Sequence, residues 1–299
     1  MSAAHDRFLA FRRTVPRPPR LERQTVRARG LAFSVLSSPP VADAPPLLCV
    51  NGGLIVDHAG LWPALSPLAA GRQLILYDQR GRGASSPPAD PATATIEDDA
   101  ADIPALRRAL GVRQWDILGH SWGGGLAALA SAQDTPGVRR LVLADPVGPT
   151  HAWMAPLRAE SMARASDADR AVMAGISDEM LGTPDPATHL AHLTASYGAW
   201  FVDREFAATF PMPREASLTG SHVAARLRRE GYDWRERLGG VVAPTLVLFG
   251  DGDPLSPDTG RAMAASIPNA RFQLLPHSGH FPFWEAPTEF FAAVSAFLA

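Results

Sequence analysis

The chain has 299 residues, 46% of them hydrophobic and 19% charged, and its formal net charge is −2. That length can bury the core of one large domain or of two small ones. The near-neutral balance argues against a nucleic-acid binder, which needs a basic face to displace counterions.

Residues 1–30 carry eight Arg against Asp6 and Glu22, with Pro16, Pro18 and Pro19 among them. The basic run shows no helical amphipathicity, so residues 1–25 are expected to form a solvated, partly extended arm. No apolar segment follows these charges, and no stretch approaches ~18 consecutive apolar residues. Neither a secretory leader nor a membrane-spanning helix is expected, and the cytoplasm is the simplest compartment. Residues 24–37 read as two short strands around a turn at Arg29-Gly30.

After a Pro-rich break come short apolar runs at 47–50, 74–77, 115–118, 141–144, 245–249 and 271–275, each ended by turn-forming residues. Such runs predict strands buried on both faces, as in a parallel sheet. Cys49 lies in the first of them and reads as a small buried hydrophobe; a single cysteine excludes an intramolecular disulfide and a cysteine-based metal cluster. Helical patterns over 60–70, 95–110, 122–133, 258–267 and 285–298 alternate with the strands. The alternation predicts an α/β fold with right-handed crossovers, a mostly parallel sheet flanked by helices. Between Asp145 and Val242 no strand pattern appears, only Ala-, Arg- and aromatic-rich helical stretches punctuated by Pro. The expected organisation is an arm at 1–25, a core at 26–145 and 242–299, and an inserted helical cap at 146–241.

Gly119-His120-Ser121-Trp122-Gly123 matches G-x-S-x-G between the strand at 115–118 and an Ala-rich helix. Small residues on either side of the Ser let the strand turn sharply into the helix, lifting the hydroxyl to the carboxyl edge of the sheet. A serine hydroxyl needs a base, and the base an acid; chain order in this fold is Ser, acid, His. The loop after 245–249 offers Asp251 and Asp253, and Asp145 ends an earlier strand. Asp251 and Asp145 also suit turn or capping roles. His277 and His280 follow the last strand; His280, after Gly279 and before Phe281, is the better placed base, with His277 a strand-end surface residue. His189 and His192 share a helix face on the expected cap surface, and without a third ligand they do not make a metal site. An oxyanion needs N–H donors, for which the Gly53 amide in Asn51-Gly52-Gly53-Leu54 and the Trp122 amide stand in the expected places.

In these stretches the chain resembles the α/β-hydrolase superfamily, and within it the proline iminopeptidase-like serine peptidases. Gly119-His120-Ser121-Trp122-Gly123-Gly124 is similar to that family's nucleophile motif, and 77–85 (Tyr77-Asp78-Gln79-Arg80-Gly81-Arg82-Gly83-Ala84-Ser85) to its D-Q-R-G-x-G-x-S stretch. Ser278-Gly279-His280, with Glu285 and Pro287 beyond, is similar to its catalytic-His segment. The superfamily's G-x-x-D falls on Gly250 and Asp253, which by resemblance makes Asp253 the acid, and Gly53 takes the oxyanion position of H-G-x. The family's H-G-G-P-G loop is replaced by Asn51-Gly52-Gly53-Leu54-Ile55, and its acidic W-E cap signature has no clear counterpart. Asp78 and Arg80 are expected to form a charge pair that fixes the loop beside the site.

The reading is a cofactor-free, metal-free serine hydrolase with Ser121, Asp253 and His280 as triad and Gly53 and Trp122 as oxyanion donors. Asn51, Leu54, His58, Trp200 and Phe281 are the candidate substrate contacts. The expected partner is a small molecule or short peptide, with neither nucleic acid nor membrane; oligomeric state is not legible. The resemblance implies an aminopeptidase releasing N-terminal residues from small peptides or amides. A carboxylesterase or lactonase on small apolar esters is the alternative, followed by a non-hydrolytic or ligand-binding member of the fold. The cap aromatics Trp153, Tyr197, Trp200, Phe201, Phe206 and Phe210 are expected mainly to form the cap's own core.

Overall fold

The structure, a computed structural model, describes residues 2–210 and 212–299; Met1 of the expected arm and Pro211 of the expected cap lie outside them. Eight strands form one sheet: β1 Glu22–Ala28, β2 Leu31–Ser37, β3 Leu47–Val50, β4 Leu74–Tyr77, β5 Trp115–His120, β6 Val138–Ala144, β7 Thr245–Gly250 and β8 Ala270–Leu275. Their order is β1-β2-β4-β3-β5-β6-β7-β8; β1–β2 and β2–β4 pair antiparallel and every other neighbour pairs parallel. The continuous apolar runs reflect burial on both faces. Along β3, Leu48 and Val50 join one core cluster while Leu47 and Cys49 join the other. Burial pushes the Cys49 thiol up to about 12, leaving it inert as a nucleophile.

The helices are α1 Ala3–Thr14, α2 Ile96–Ala109, α3 Trp122–Gln133, α4 Met154–Arg164, α5 Asp167–Ala174, α6 Asp178–Leu181, α7 Pro186–Tyr197, α8 Arg204–Ala207, α9 Leu218–Glu230, α10 Arg235–Leu238, α11 Pro257–Ala265, α12 Pro282–Glu285 and α13 Pro287–Leu298. The stretch from α4 to α10 runs between β6 and β7. Residues 60–70 differ from the expected helix: they hold short 3₁₀ turns at His58–Gly60 and Ser66–Ala70, with Pro63 and Pro67 opposing a continuous ladder. Among the described residues no helix is long and apolar enough to cross a membrane.

The first half of the arm, α1, is a packed helix rather than an extended segment, while residues 15–21 have no regular secondary structure. Ser2 caps α1, whose Ala4, Phe8 and Phe11 form an apolar stripe hidden in the sequence among the arginines. Phe11 stacks on Phe291 at 5.2 Å between ring centroids, and Phe8 meets Phe206 and Phe210 at 5.6 Å each.

The loop after β4 is pinned to α2 by buried ions. Arg80 clasps Asp102 through two bonds of 2.7 and 2.6 Å, and Arg82 clasps Asp99 at 3.0 and 2.9 Å. The Arg82 Nε–H also donates to the Leu54 carbonyl at 2.9 Å, tying this loop to the one after β3. Asp78 does not pair with Arg80 as expected. Its Oδ1 lies 2.6 Å from His58 Nδ1 and its Oδ2 accepts the Ala84 N–H, because the carboxylates of α2 already satisfy both arginines. Bidentate geometry makes such pairs strong once formed, and removing one partner strands a charge in the interior. Asp99→Ala, which leaves fully buried Arg82 without its carboxylate, is expected to cost about 3–5 kcal/mol in urea unfolding. An unchanged unfolding midpoint would contradict this role.

Candidate active site

Ser121 is the residue at which β5 turns into α3, and it holds φ 54°, ψ −122°. A non-glycine residue reaches positive φ only under constraint from its surroundings. The constraint here is close backbone contact. A Cβ on Gly119 would strike the Gly123 carbonyl and come 2.8 Å from Ala127 Cβ; one on Gly123 would strike the Val50 and Asn51 carbonyls. Glycine at both positions lets β5, α3 and the end of β3 converge beneath the serine. The Ser121 N–H donates to the Ala144 carbonyl at 2.9 Å and the Val147 N–H to the Ser121 carbonyl at 3.2 Å, stitching the turn to the end of β6.

His280 Nε2 stands 2.8 Å from Ser121 Oγ, and His280 Nδ1 stands 2.7 Å from Asp253 Oδ2. Asp253 Oδ1 accepts the Leu255 N–H at 2.8 Å, so this carboxylate is held from both sides. The His280 backbone is fixed as well: its N–H donates to the Trp200 carbonyl at 2.8 Å and its carbonyl accepts from His120 Nε2 at 2.7 Å. Burial, then the neighbouring His280, pulls His120 down to about 3; His120 is a neutral donor that adds no second positive charge beside the imidazole. Glu285 braces the same loop, accepting from the N–H groups of Gly279, Val202 and Asp203 at 2.7, 2.9 and 3.2 Å. Its burial pushes it up to about 7 despite those donors.

Asp145, one of the three acid candidates, does not reach the imidazole as the orienting group. Its Oδ1 accepts the Gly250 N–H at 2.7 Å, and its Oδ2 is buried with no donor aimed at it. Its carboxyl lies within 4.8 Å of ligand atoms of both Asp253 and His280. Burial, and next the charge of Asp253, raise Asp145 well above the usual carboxylate range, so it holds its proton more tightly than an exposed carboxyl does. Asp251 is a turn residue whose Oδ1 accepts the Ser278 N–H at 3.3 Å, and His277 is exposed at φ 59°. Asp57, His58 and Asp78 also bring potential metal-ligand atoms within 4.8 Å, but there Asp78 is already engaged by His58 and Ala84.

Ser121 stands between two cavities, of about 800 and about 170 Å³. Gly53 borders both and Trp122 the smaller one. As the first residue of α3, Trp122 has no intrahelical acceptor for its N–H, and the positive end of the helix favours negative charge there. Gly52 presses against the serine: a Cβ there would lie 2.8 Å from Ser121 Cβ. Of the other expected contacts, Trp200 borders both cavities, Asn51 and Phe281 the larger, and Leu54 the smaller. His58 borders neither, because its ring is turned onto Asp78. Among the aromatics, Tyr197, Trp200 and Phe210 line the larger cavity and Trp153 the smaller, while Phe201 and Phe206 are buried in the apolar core.

His189 and His192 are not cap-surface residues. His189 is buried, its Nε2 3.0 Å from the Leu181 carbonyl, and both histidines line the smaller cavity. Phe8, Phe11 and Arg12 of α1 line the larger cavity, a role foreshadowed only by the overlooked apolar stripe. Arg158 and Arg228 in the smaller one left no signal, since arginines on polar helices ordinarily read as solvated.

Residues 45–287 match the alpha/beta hydrolase fold family. The proline iminopeptidase of Levilactobacillus brevis is 29% identical over 281 residues, covering 85% of this chain and 88% of its own. That of Lactobacillus delbrueckii subsp. bulgaricus is 29% identical over 260 residues, covering 81% and 85%. Among solved structures, the proline iminopeptidase of Mycobacterium smegmatis superposes with a TM-score of 0.69 at 25% identity, covering 93% of this chain and 97% of its own. VinJ gives 0.72 at 23% identity, covering 94% and 99%, a likeness of fold alone.

The raised carboxyl of Asp145 has a sign that can be measured. A group that holds its proton more tightly folded than unfolded contributes stability below its unfolded value and loses it as pH rises toward its folded one. Asn at 145 has no such proton to retain. Between pH 5 and pH 8 the melting temperature of the unsubstituted protein is expected to fall relative to Asp145→Asn; parallel pH profiles would contradict the raised carboxyl.

Proposed function

The chain belongs to the alpha/beta hydrolase fold family and is a hydrolase; on that premise we propose that it is a serine hydrolase working through an acyl-enzyme. The observation that carries this reading is the unbroken hydrogen-bonded series from Ser121 Oγ through His280 to Asp253, at 2.8 and 2.7 Å. Ser121 Oγ attacks the substrate carbonyl carbon while His280 Nε2 takes its proton. Asp253 receives the Nδ1–H, holding the tautomer and stabilising the imidazolium. The Gly53 and Trp122 amides receive the oxyanion. The imidazolium then protonates the leaving group, and a water, deprotonated by the same imidazole, releases the acyl group. Every proton in the cycle passes through His280 Nε2.

For the substrate, we infer an aminopeptidase acting on small peptides or amides, an inference supported by the similarity to proline iminopeptidases. Asp57 and Glu215 on the wall of the larger cavity supply carboxylates of the kind an α-amine requires. A second reading, a carboxylesterase or lactonase, is favoured by the Asn51-Gly52-Gly53-Leu54-Ile55 loop, which lacks the Pro-Gly turn of H-G-G-P-G, and by the aromatic walls of that cavity.

Ser121→Ala is expected to lower kcat by on the order of a thousandfold or more; retention of full activity would end the serine-hydrolase reading. Comparing Pro-β-naphthylamide with short p-nitrophenyl esters separates the two substrate classes. Amide turnover supports the aminopeptidase, whereas good ester turnover with none on the amide removes that assignment.

A further inference from the structure

The smaller cavity has a floor formed in part by Gly53, Ser121 and Trp122, and walls from α4, α7 and α9. Arg158 of α4 and Arg228 of α9 line it, each side chain 23% exposed. The carboxylate within ion-pair reach of both among the described residues is Asp178, 4.0 Å from Arg158 Nε and 3.4 Å from Arg228 Nη1. Asp178 is 77% exposed, so solvent screens it and two cations share one weak counter-ion. Arg158 is oriented rather than neutralised: its guanidinium donates to the Met173 and Ile176 carbonyls at 3.2 and 2.6 Å and to His192 Nε2 at 3.1 Å. Burial, followed by the two arginines, pulls His192 down to about 4, which leaves it a neutral acceptor. A further polar group awaits a partner here. Ser161 Oγ is buried, lines the same cavity and has no hydrogen-bond partner.

A partly buried pair of guanidinium groups that share one screened counter-ion, beside a buried hydroxyl without a partner, favours an anion that completes it. Planar, bidentate recognition of a carboxylate is what guanidinium geometry does best. We propose that this cavity is an anion subsite that holds a carboxylate of the substrate, with Arg228 as its principal contact, Arg158 preset beside it and Ser161 as a further donor. The proposal rests on the serine-hydrolase reading for its meaning, because Ser121 borders the same cavity. Its chemistry divides the two cavities. An ammonium is repelled from the arginine side and favoured on the side of Asp57 and Glu215, while an acidic end of a short substrate is drawn across the nucleophile to Arg228. Specificity then falls on small substrates that carry a carboxylate a few bonds from the scissile carbonyl.

Two readouts test this, with glutarate, neutral glutaramide and inorganic phosphate as probes. The first is the melting-temperature shift that each compound produces; the second is the rate at which a fluorophosphonate labels Ser121 in its presence. Glutarate is expected to raise the melting temperature and slow labelling, glutaramide to do neither. In Arg228→Met the glutarate concentration giving half-protection should rise tenfold or more, with partial recovery in Arg228→Lys. Equal effects of glutarate and glutaramide, protection that survives Arg228→Met, or protection by phosphate without protection by glutarate would overturn the subsite. Failure of the fluorophosphonate to label Ser121 would instead sink the hydrolase reading, while the melting shifts still judge the subsite.

Discussion

The positive-φ turn at Ser121 is the constraint on which the rest of the site depends. A serine held at φ 54° survives only because its neighbours leave the chain no other path. Gly119 and Gly123 let β5, α3 and the end of β3 touch backbone to backbone, and any side chain at either position would force them apart. The same tight turn starts a helix at Trp122, so an unsatisfied amide at the positive end of α3 stands next to the nucleophile. In the proposed mechanism, one local geometry thus delivers both the attacking oxygen and a donor for the charge it creates.

Everything else that matters is arranged to hold loops against that turn. The loop after β3 reaches it through Gly52 and is held from behind by Arg82, which joins the Leu54 carbonyl to Asp99 of α2. His280 is gripped through its own peptide by Trp200 and His120, and Glu285 binds the adjacent Gly279 to the segment at Val202 and Asp203. The helices between β6 and β7 therefore do more than border the cavities, since the Trp200 carbonyl accepts a hydrogen bond from the loop that carries His280. Behind Asp253, the raised carboxyl of Asp145 resists placing a further charge beside it. Several buried polar groups near the serine are fixed by partners from other elements, which is how a site of loops becomes rigid.

Much of this was legible in the chain. The apolar runs at 47–50 and 74–77 are strands with those limits, and 122–133 is a helix with those limits, because both-face burial and an Ala-rich pattern leave strong local signals. Ser121, Asp253 and His280 come together because they follow the carboxyl ends of β5, β7 and β8, parallel strands of one sheet. What was not legible depended on tertiary partners. The α1 stripe of Ala4, Phe8 and Phe11 is sparse, and arginines around it disguise its amphipathicity. Asp78 and Arg80 are close in sequence and opposite in charge, yet Asp102 of α2, 22 residues beyond Arg80, takes the guanidinium instead. His58, His189 and His192 likewise took positions that no local pattern encodes, and two arginines on polar helices turned out to line a cavity.

The central claim is that the Ser121 turn aims a nucleophile and two oxyanion donors at one point. A crystal structure of the enzyme carrying a phosphonate on Ser121 tests it most directly, because the phosphoryl oxygen occupies the place of the oxyanion. The account predicts that oxygen about 2.7–3.1 Å from both the Gly53 and the Trp122 nitrogens. An adduct on another residue, or a phosphoryl oxygen turned away from those two amides, would contradict it.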